Sequence, residues 1–101
     1  MHAIVKRYDL GAGSRGAGAL TELARRCREE LVPRIAGIGG VTRYYVVDGG
    51  DGVLATVCIC GSDAAAAEAD SAAKDYFRDR LQGMLQANPQ VVTGPVLVEG
   101  P

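Results

Sequence analysis

Four short segments of the chain are rich in β-branched, aromatic and other apolar residues, and this pattern predicts four β-strands. They are His2–Leu10, Val41–Asp48, Val53–Cys60 and Val91–Val98. The GGDG loop between the second and third segments favours a tight antiparallel hairpin, because Asp-Gly pairs adopt the backbone angles of such turns. Gly94-Pro95 interrupts the fourth segment. Since proline has no N–H to give to a neighbouring strand, this strand is predicted at a sheet edge.

A first helix is predicted between the first two strands. It begins near Ala17, and apolar residues recur from there at helical spacing. The positions that should face the core are Leu20, Leu23, Ala24, Cys27, Leu31 and Ile35. Pro33 lacks the N–H that would reach Glu29, so we expect the helix to kink or fray there.

A second, alanine-rich helix is predicted to run from Ala64 to about Gln86. Either Ser62 or Asp63 can cap its start by accepting from the first free backbone N–H groups. Asn88-Pro89 should end it, because the residue before a proline avoids the helical region.

The order of elements is therefore β-α-β-β-α-β, which predicts an α+β domain of ferredoxin-like fold with a four-stranded antiparallel sheet. Residues 1–101 suffice for one such domain. Val53–Cys60 is apolar at almost every position, so both faces of its strand need cover, whereas two helices can cover only one face. We therefore expect a homodimer in which two copies pack sheet to sheet and form an α/β barrel.

Composition narrows the classes of partner. Eleven Lys and Arg stand against twelve Asp and Glu, and this balance argues against a nucleic-acid or anionic-membrane surface. No apolar run approaches the roughly 20 residues of a membrane span, and no secretory leader is expected. Three cysteines do not form a complete disulfide framework, so a reduced, cytoplasmic setting is expected.

Gly11, Gly13 and Gly16 have the spacing G-x-G-x-x-G, after a strand and before a helix, as in dinucleotide-binding proteins. The rest of that motif is missing. The acidic residues about 20 positions further on, Glu29 and Glu30, fall in the first helix, and the next strand enters a hairpin. We expect loop 11–18 not to bind a dinucleotide. It is either a flexible connection at the rim of the barrel or a small-anion site formed by Arg15 and free N–H groups.

The cysteines and the histidine do not form a pattern typical of a disulfide, a zinc site or a catalytic site. Cys58 and Cys60 share one strand face, but parallel side chains on one strand do not favour a disulfide, and the usual zinc-ligand spacings are absent. His2 is the only histidine. We predict no metal site and assign no catalytic residue.

Five polar or aromatic side chains are the candidates for binding a ligand. Lys6 and Tyr8 share one face of the first strand, Arg43 and Tyr45 share one face of the second, and Tyr76 lies on the inner face of the second helix. They can orient a mostly apolar ligand in a cleft between sheet and helices, or inside the barrel. Alternatively, they are structural: the tyrosines pack with their hydroxyls at a rim, and the cations form ion pairs or interface contacts.

The chain also resembles the dimeric α/β-barrel superfamily, in particular small proteins related to antibiotic-biosynthesis monooxygenases. The features that carry this resemblance are Gly40-Val41 followed by Tyr44-Tyr45, the Asp51-Gly52 hairpin, the helix residues Ala72, Ala73 and Tyr76, and the closing Gly94-x-Val96. The resemblance implies cofactor-independent oxygenation of an aromatic substrate that itself activates oxygen. There is no Trp, and the Asn, Trp and His on which haem-degrading members rely are not matched. The alternative is a non-catalytic ligand-binding or protein-interaction module.

Overall fold

The computed structural model describes residues 1–11, 16–86 and 88–101. Its strands are β1 (His2–Asp9), β2 (Val41–Gly50), β3 (Val53–Cys60) and β4 (Gln90–Pro95). Its helices are α1 (Ala17–Arg26), α2 (Val32–Ala36) and α3 (Asp63–Arg80), with a π-helical turn over Cys27–Leu31 between α1 and α2. None of the described helices has the length and apolar character needed to cross a membrane.

The strands form one sheet in the order β2-β3-β1-β4, and each neighbouring pair is antiparallel. This confirms the predicted ferredoxin-like α+β fold and places β4 at an edge. The hairpin between β2 and β3 is tighter than predicted, since β2 continues to Gly50 and only Asp51 and Gly52 remain in the turn. Asp51 has a positive φ of 52°, as the first residue of such a turn requires.

One face of the sheet is covered by the helices and contains the core. Residues paired across neighbouring strands point to the same face, so the pairs that β1 makes with β3 show which side chains look inward. Ile4 lies opposite Cys58, and Tyr8 lies opposite Leu54; all four are buried. The alternate positions, such as Val5, point to the other face, where several valines and Tyr45 are exposed.

The first helical segment, residues 17–36, stays helical through Pro33 to Ala36, so the predicted fraying does not occur and the helix is distorted only locally near the proline. Of its six predicted inner residues, four are fully buried, namely Leu23, Cys27, Leu31 and Ile35. Leu20 is only partly buried, and the prediction for Ala24 was wrong, since it is exposed. The hydrogen-bond pattern widens to a π-helical turn over Cys27–Leu31, immediately before the proline, and then returns to the α-helical pattern. A local widening of this kind adapts the backbone near a proline that has no N–H to donate.

The predicted end of the second helix was wrong: α3 stops at Arg80, not near Gln86. Gly83 has a φ of +84°, which a helix excludes and glycine tolerates. The segment that follows α3, residues 82–86, turns back onto the end of β1 instead. The N–H of Gly11 donates to the Met84 carbonyl at 3.0 Å, and the N–H of Gln86 donates to the Asp9 carbonyl at 2.9 Å.

The predicted end of the fourth strand was also wrong, since β4 stops at Pro95 rather than Val98. Pro95 lies opposite His2, and beyond this pair the Val96 N–H donates to the Met1 carbonyl at 2.9 Å. The side chains of Leu97 and Val98 are exposed.

Gly11 is required for the close approach of segment 82–86 to β1. A Cβ added at Gly11 would lie 2.4 Å from the Gly83 carbonyl oxygen, so Gly11→Ala should lower the free energy of unfolding by about 1–3 kcal/mol. Gly18→Ala is the matched control, because a Cβ there meets nothing within 4 Å and alanine favours a helix. Urea unfolding of both variants tests this, and equal stabilities would contradict it.

Candidate functional site

A cavity lies between β1 and the C-terminal half of α3, and it is here called the main cavity. Its volume is about 320 Å³, and segment 82–86 together with Pro89 forms part of its wall. The apolar surface comes chiefly from Tyr8, Phe77, Leu81 and Leu85. The Tyr8 and Phe77 rings meet edge to face, with their centroids 5.3 Å apart. This aromatic wall suits a flat apolar group.

Lys6 is the buried cation of this cavity. It projects from the middle of β1 and is only 3% exposed. Its ammonium pairs with the Asp70 carboxylate of α3, which also receives Lys74 Nζ at 3.1 Å. Burial alone would raise the pKa of Asp70, but the hydrogen bonds and charges of Lys6 and Lys74 outweigh it and hold that pKa below its usual value. Asp70 is therefore ionised at neutral pH.

Tyr8 enters the cavity as a neutral phenol. Burial, reinforced by the charge of Asp70, raises its pKa above the ordinary range. A neutral phenol both donates and accepts a hydrogen bond, so Tyr8 can bind a polar substituent of a ligand. It is not a base at neutral pH, however, because its proton is held so tightly.

The structure brings only two of the five predicted site residues into the main cavity, namely Lys6 and Tyr8. Arg43 and Tyr45 lie opposite Ile59 and Val57, on the sheet face that the helices leave open, so within one subunit they cannot meet Lys6.

Tyr76 is fully buried in the core and does not line the main cavity. Its hydroxyl donates to Glu30 Oε1 at 3.2 Å, and the Arg34 guanidinium lies 5.5 Å from its ring centroid. Burial and the acceptor Glu30 raise its pKa to about 12. These contacts tie α3 to the first helical segment, which is a structural role.

Lys74 and Arg78 also line the main cavity, although they are not among the five site residues predicted from the sequence. They flank Phe77 and Leu81 at spacings of three and four residues, which places them along one side of α3 and of its C-cap residue Leu81. Helical spacing was therefore the signal that could have identified them once one cavity residue on α3 was known.

A second cavity of about 280 Å³ lies between α1 and β2. Its lining is mostly apolar and includes Leu20, Tyr44 and Cys27. Burial raises the pKa of the Cys27 thiol to about 11, so this cysteine is protonated and unreactive at neutral pH. This cavity lacks a buried charge comparable to Lys6.

Cys58 and Cys60 share the inner face of β3, with their sulfur atoms 3.5 Å apart. All three cysteines are free and buried. Burial first, and then its neighbour Cys60, raises the pKa of Cys58 to about 12. Among the described residues, no group of three or more His, Cys, Asp or Glu is placed to hold a metal ion.

Part of the glycine motif lies outside the described residues, including Gly13 and Arg15. The anion site predicted for Arg15 therefore stays a prediction. At the ends of the loop, Gly11 contacts segment 82–86, and Gly16 precedes α1 in an extended conformation.

The Lys6–Asp70 pair should make stability dependent on pH. Asp70→Asn leaves the buried ammonium of Lys6 without its counter-charge. We expect the free energy of unfolding to fall by on the order of 2 kcal/mol at neutral pH. This is less than for a fully buried pair, because a quarter of the Asp70 side chain is exposed. Because the folded-state pKa of Asp70 is lowered, this stabilisation is present above about pH 4 and disappears as the pH falls through the folded-state value.

Urea unfolding across this pH range provides the measurement. The gap between wild type and Asp70→Asn should narrow in acid, and a gap independent of pH would rule out the ion pair as its cause. Asp75→Asn is the control on the same helix. Its exposed pair with Arg78 should contribute much less.

Solved structures with the same fold cover nearly the whole chain. The NE2512 protein of unknown function from Nitrosomonas europaea superposes with a TM-score of 0.75 at 14% identity, covering 99% of this chain and 92% of that chain. A dimeric ferredoxin-like protein from an uncultured marine organism superposes with a TM-score of 0.74 at 13% identity, covering 99% of this chain and 97% of that chain. The monooxygenase ActVA-Orf6 of Streptomyces coelicolor was solved with the ligand Nanaomycin D. It superposes with a TM-score of 0.71 at 16% identity, covering 99% of this chain and 91% of that chain.

No protein-family model and no curated protein matches the sequence. At 13–16% identity, these similarities establish the fold and not the activity. The resemblance predicted from the sequence is confirmed at that level: this chain has the ferredoxin-like fold shared by antibiotic-biosynthesis-type monooxygenases and their dimeric structural relatives.

Proposed function

We propose that this protein binds a small, largely apolar or aromatic molecule in the main cavity and oxygenates it without a cofactor. The observation that carries the binding proposal is the cavity itself. It holds about 320 Å³ between Tyr8, Phe77 and Leu85, and most of its lining surface is apolar. Ligand sites are typically concavities of about this size, mostly apolar and with a few polar groups that fix orientation.

The oxygenation proposal rests on the likeness in fold to monooxygenases, one of which was solved with a ligand. In such a reaction the substrate itself reduces oxygen, so the protein has only to bind and orient the ring. Among the five sequence candidates, Lys6 and Tyr8 line this cavity, and we assign ligand contact to the Tyr8 side chain and to the aliphatic stem of Lys6, whose ammonium pairs with Asp70. Arg43 and Tyr45 belong to the open sheet face.

Binding without catalysis is the second candidate function, and the ionisation of the site favours it. Tyr8 stays protonated because burial raises its pKa above the ordinary range. The other ionisable groups among the described lining residues are Lys6, Lys74 and Arg78, all of them cationic. A hydroxylated aromatic substrate would then have to release its proton to water, because the Asp70 carboxylate behind the lining is held by Lys6 and Lys74 and its pKa is lowered.

Truncation of the cavity wall tests the site. Leu85→Ala should weaken binding of naphthohydroquinone roughly fivefold, because about 1 kcal/mol of apolar contact is lost. Equilibrium dialysis without oxygen measures this. Leu20→Ala is the matched control, because Leu20 is also a partly buried leucine beside the same core but lines the second cavity. If both variants weakened binding equally, the main cavity would not be the binding site.

Oxygen uptake with the same compound separates the two candidate functions. A monooxygenase should consume oxygen faster than the compound oxidises by itself, and Leu85→Ala should slow this reaction. Binding with no uptake above the uncatalysed rate would support the non-catalytic module instead.

We also propose that the protein is a homodimer, joined through the open sheet face. Val5, Tyr45, Val47 and Val92 are all exposed there, and Val92 is 73% exposed. Contiguous apolar surface of this kind marks an interaction site. The description of one similar structure as a dimeric ferredoxin-like protein supports a second copy as the partner.

The free cysteines fit a reduced cytoplasm, where we place the protein.

Charge placed on the open face should dissociate the dimer. Val92→Asp should give monomers at micromolar concentration, because an apolar interface does not accept an unpaired carboxylate. Light scattering measures the mass. Ala64→Asp adds the same charge at the exposed start of α3 and should leave a dimer. Monomeric wild type at micromolar concentration would refute the proposal.

A further inference from the structure

The charges that line the main cavity have one sign. Lys6, Lys74 and Arg78 are among its lining residues, and no carboxylate is among those described. This does not follow from the overall composition, since the chain carries a net charge of −1. The cavity is therefore locally different from the average surface of the protein.

The carboxylates behind the lining balance these cations unevenly. Arg78 contacts two acidic groups, with its Nη1 3.3 Å from Asp75 Oδ1 and its Nε 3.0 Å from Asp79 Oδ1. Lys6 and Lys74, in contrast, share the single carboxylate of Asp70. The Lys6–Asp70–Lys74 triad thus carries one uncompensated positive charge beside an apolar cavity.

Lys74 is the member of the triad that an incoming ligand can reach. The Lys6 ammonium is enclosed by protein, whereas the Lys74 side chain is 65% exposed and lines the cavity. An ammonium has three N–H donors, and Asp70 receives Lys74 through only one of its oxygens. Lys74 therefore has donors left for a second acceptor at the cavity mouth.

We propose that the main cavity is selective for amphipathic organic anions: an aromatic or apolar body lies against Tyr8, Phe77 and Leu85, and an anionic oxygen, carboxylate or phenolate, binds Lys74. Lys6 contributes by occupying Asp70, which leaves the charge of Lys74 available to the ligand. This inference rests on the proposed binding function of the same cavity and defines the class of ligand.

The test compares 2-naphthoate with 2-naphthamide, which have nearly the same shape but differ in charge at neutral pH. Equilibrium dialysis at low salt should show that wild type binds the anion more tightly by about fivefold, the upper range for a solvent-exposed ion pair. Lys74→Met should remove this preference and leave the affinity for the amide within about twofold. High salt should weaken the preference in wild type, because exposed charges are screened.

Arg25→Gln is the charge-matched control. It removes one positive charge from a half-buried position on α1, outside the cavity lining, and should keep the full preference for the anion. Equal binding of the two probes by wild type would overturn anion selectivity while leaving the cavity as a ligand site. A preference that survives in Lys74→Met would overturn the role of the triad. Failure of both probes to bind would overturn the proposed function as well.

Discussion

Two helical segments can cover only one face of a four-stranded sheet, and this constraint organises the whole subunit. It divides every strand into inward and outward positions, as the alternating burial along β3 shows. The inward side receives the core and the main cavity. The outward side leaves Val5, Tyr45 and Val92 in contact with water, which is costly for apolar groups. The cavity on one face and the apolar surface on the other, where we propose the dimer interface, are consequences of the same geometry.

The inward face also contains a charge that a purely apolar core would not need. Lys6 lies in the middle of β1, where most neighbouring inward positions are apolar, and an unpaired ammonium there would be strongly destabilising. Asp70 removes much of this cost and links α3 to β1, one of the two central strands. The pair therefore fixes where α3 lies along the sheet, and α3 in turn positions Phe77 and Lys74 at the cavity.

The sequence predicted local structure well, wherever a short stretch of chain decides the outcome. The four strands, their order along the chain and the cap at Ser62 depend on neighbouring residues, and the Ser62 hydroxyl does accept from the Ala65 N–H at 3.1 Å. The end of α3 depends on more than local preference. Leu81 to Gln86 continue the helical pattern, but Gly83 and the docking of this segment on β1 end the helix earlier.

The grouping of site residues could not be predicted, because it depends on the relation between strands. Lys6 and Tyr8 were correctly placed on one face of β1, and Arg43 with Tyr45 on one face of β2. Which of the two faces of β2 looks inward depends on its register with β3, and a one-residue shift exchanges the two faces. The register of β2 with β3 shifts in this way between Val41 and Arg43, and no local sequence pattern predicts the shift.

Gly11, the first glycine of the G-x-G-x-x-G pattern, is explained by the packing of the chain without any nucleotide. Gly11 follows β1, and its missing side chain makes room for the Gly83 carbonyl, so segment 82–86 can lie against the strand and complete the wall of the main cavity. Glycines that allow a close approach of two backbone segments resemble those that allow the approach of a phosphate, because both need the same empty space. At this position the space is filled by the protein's own backbone.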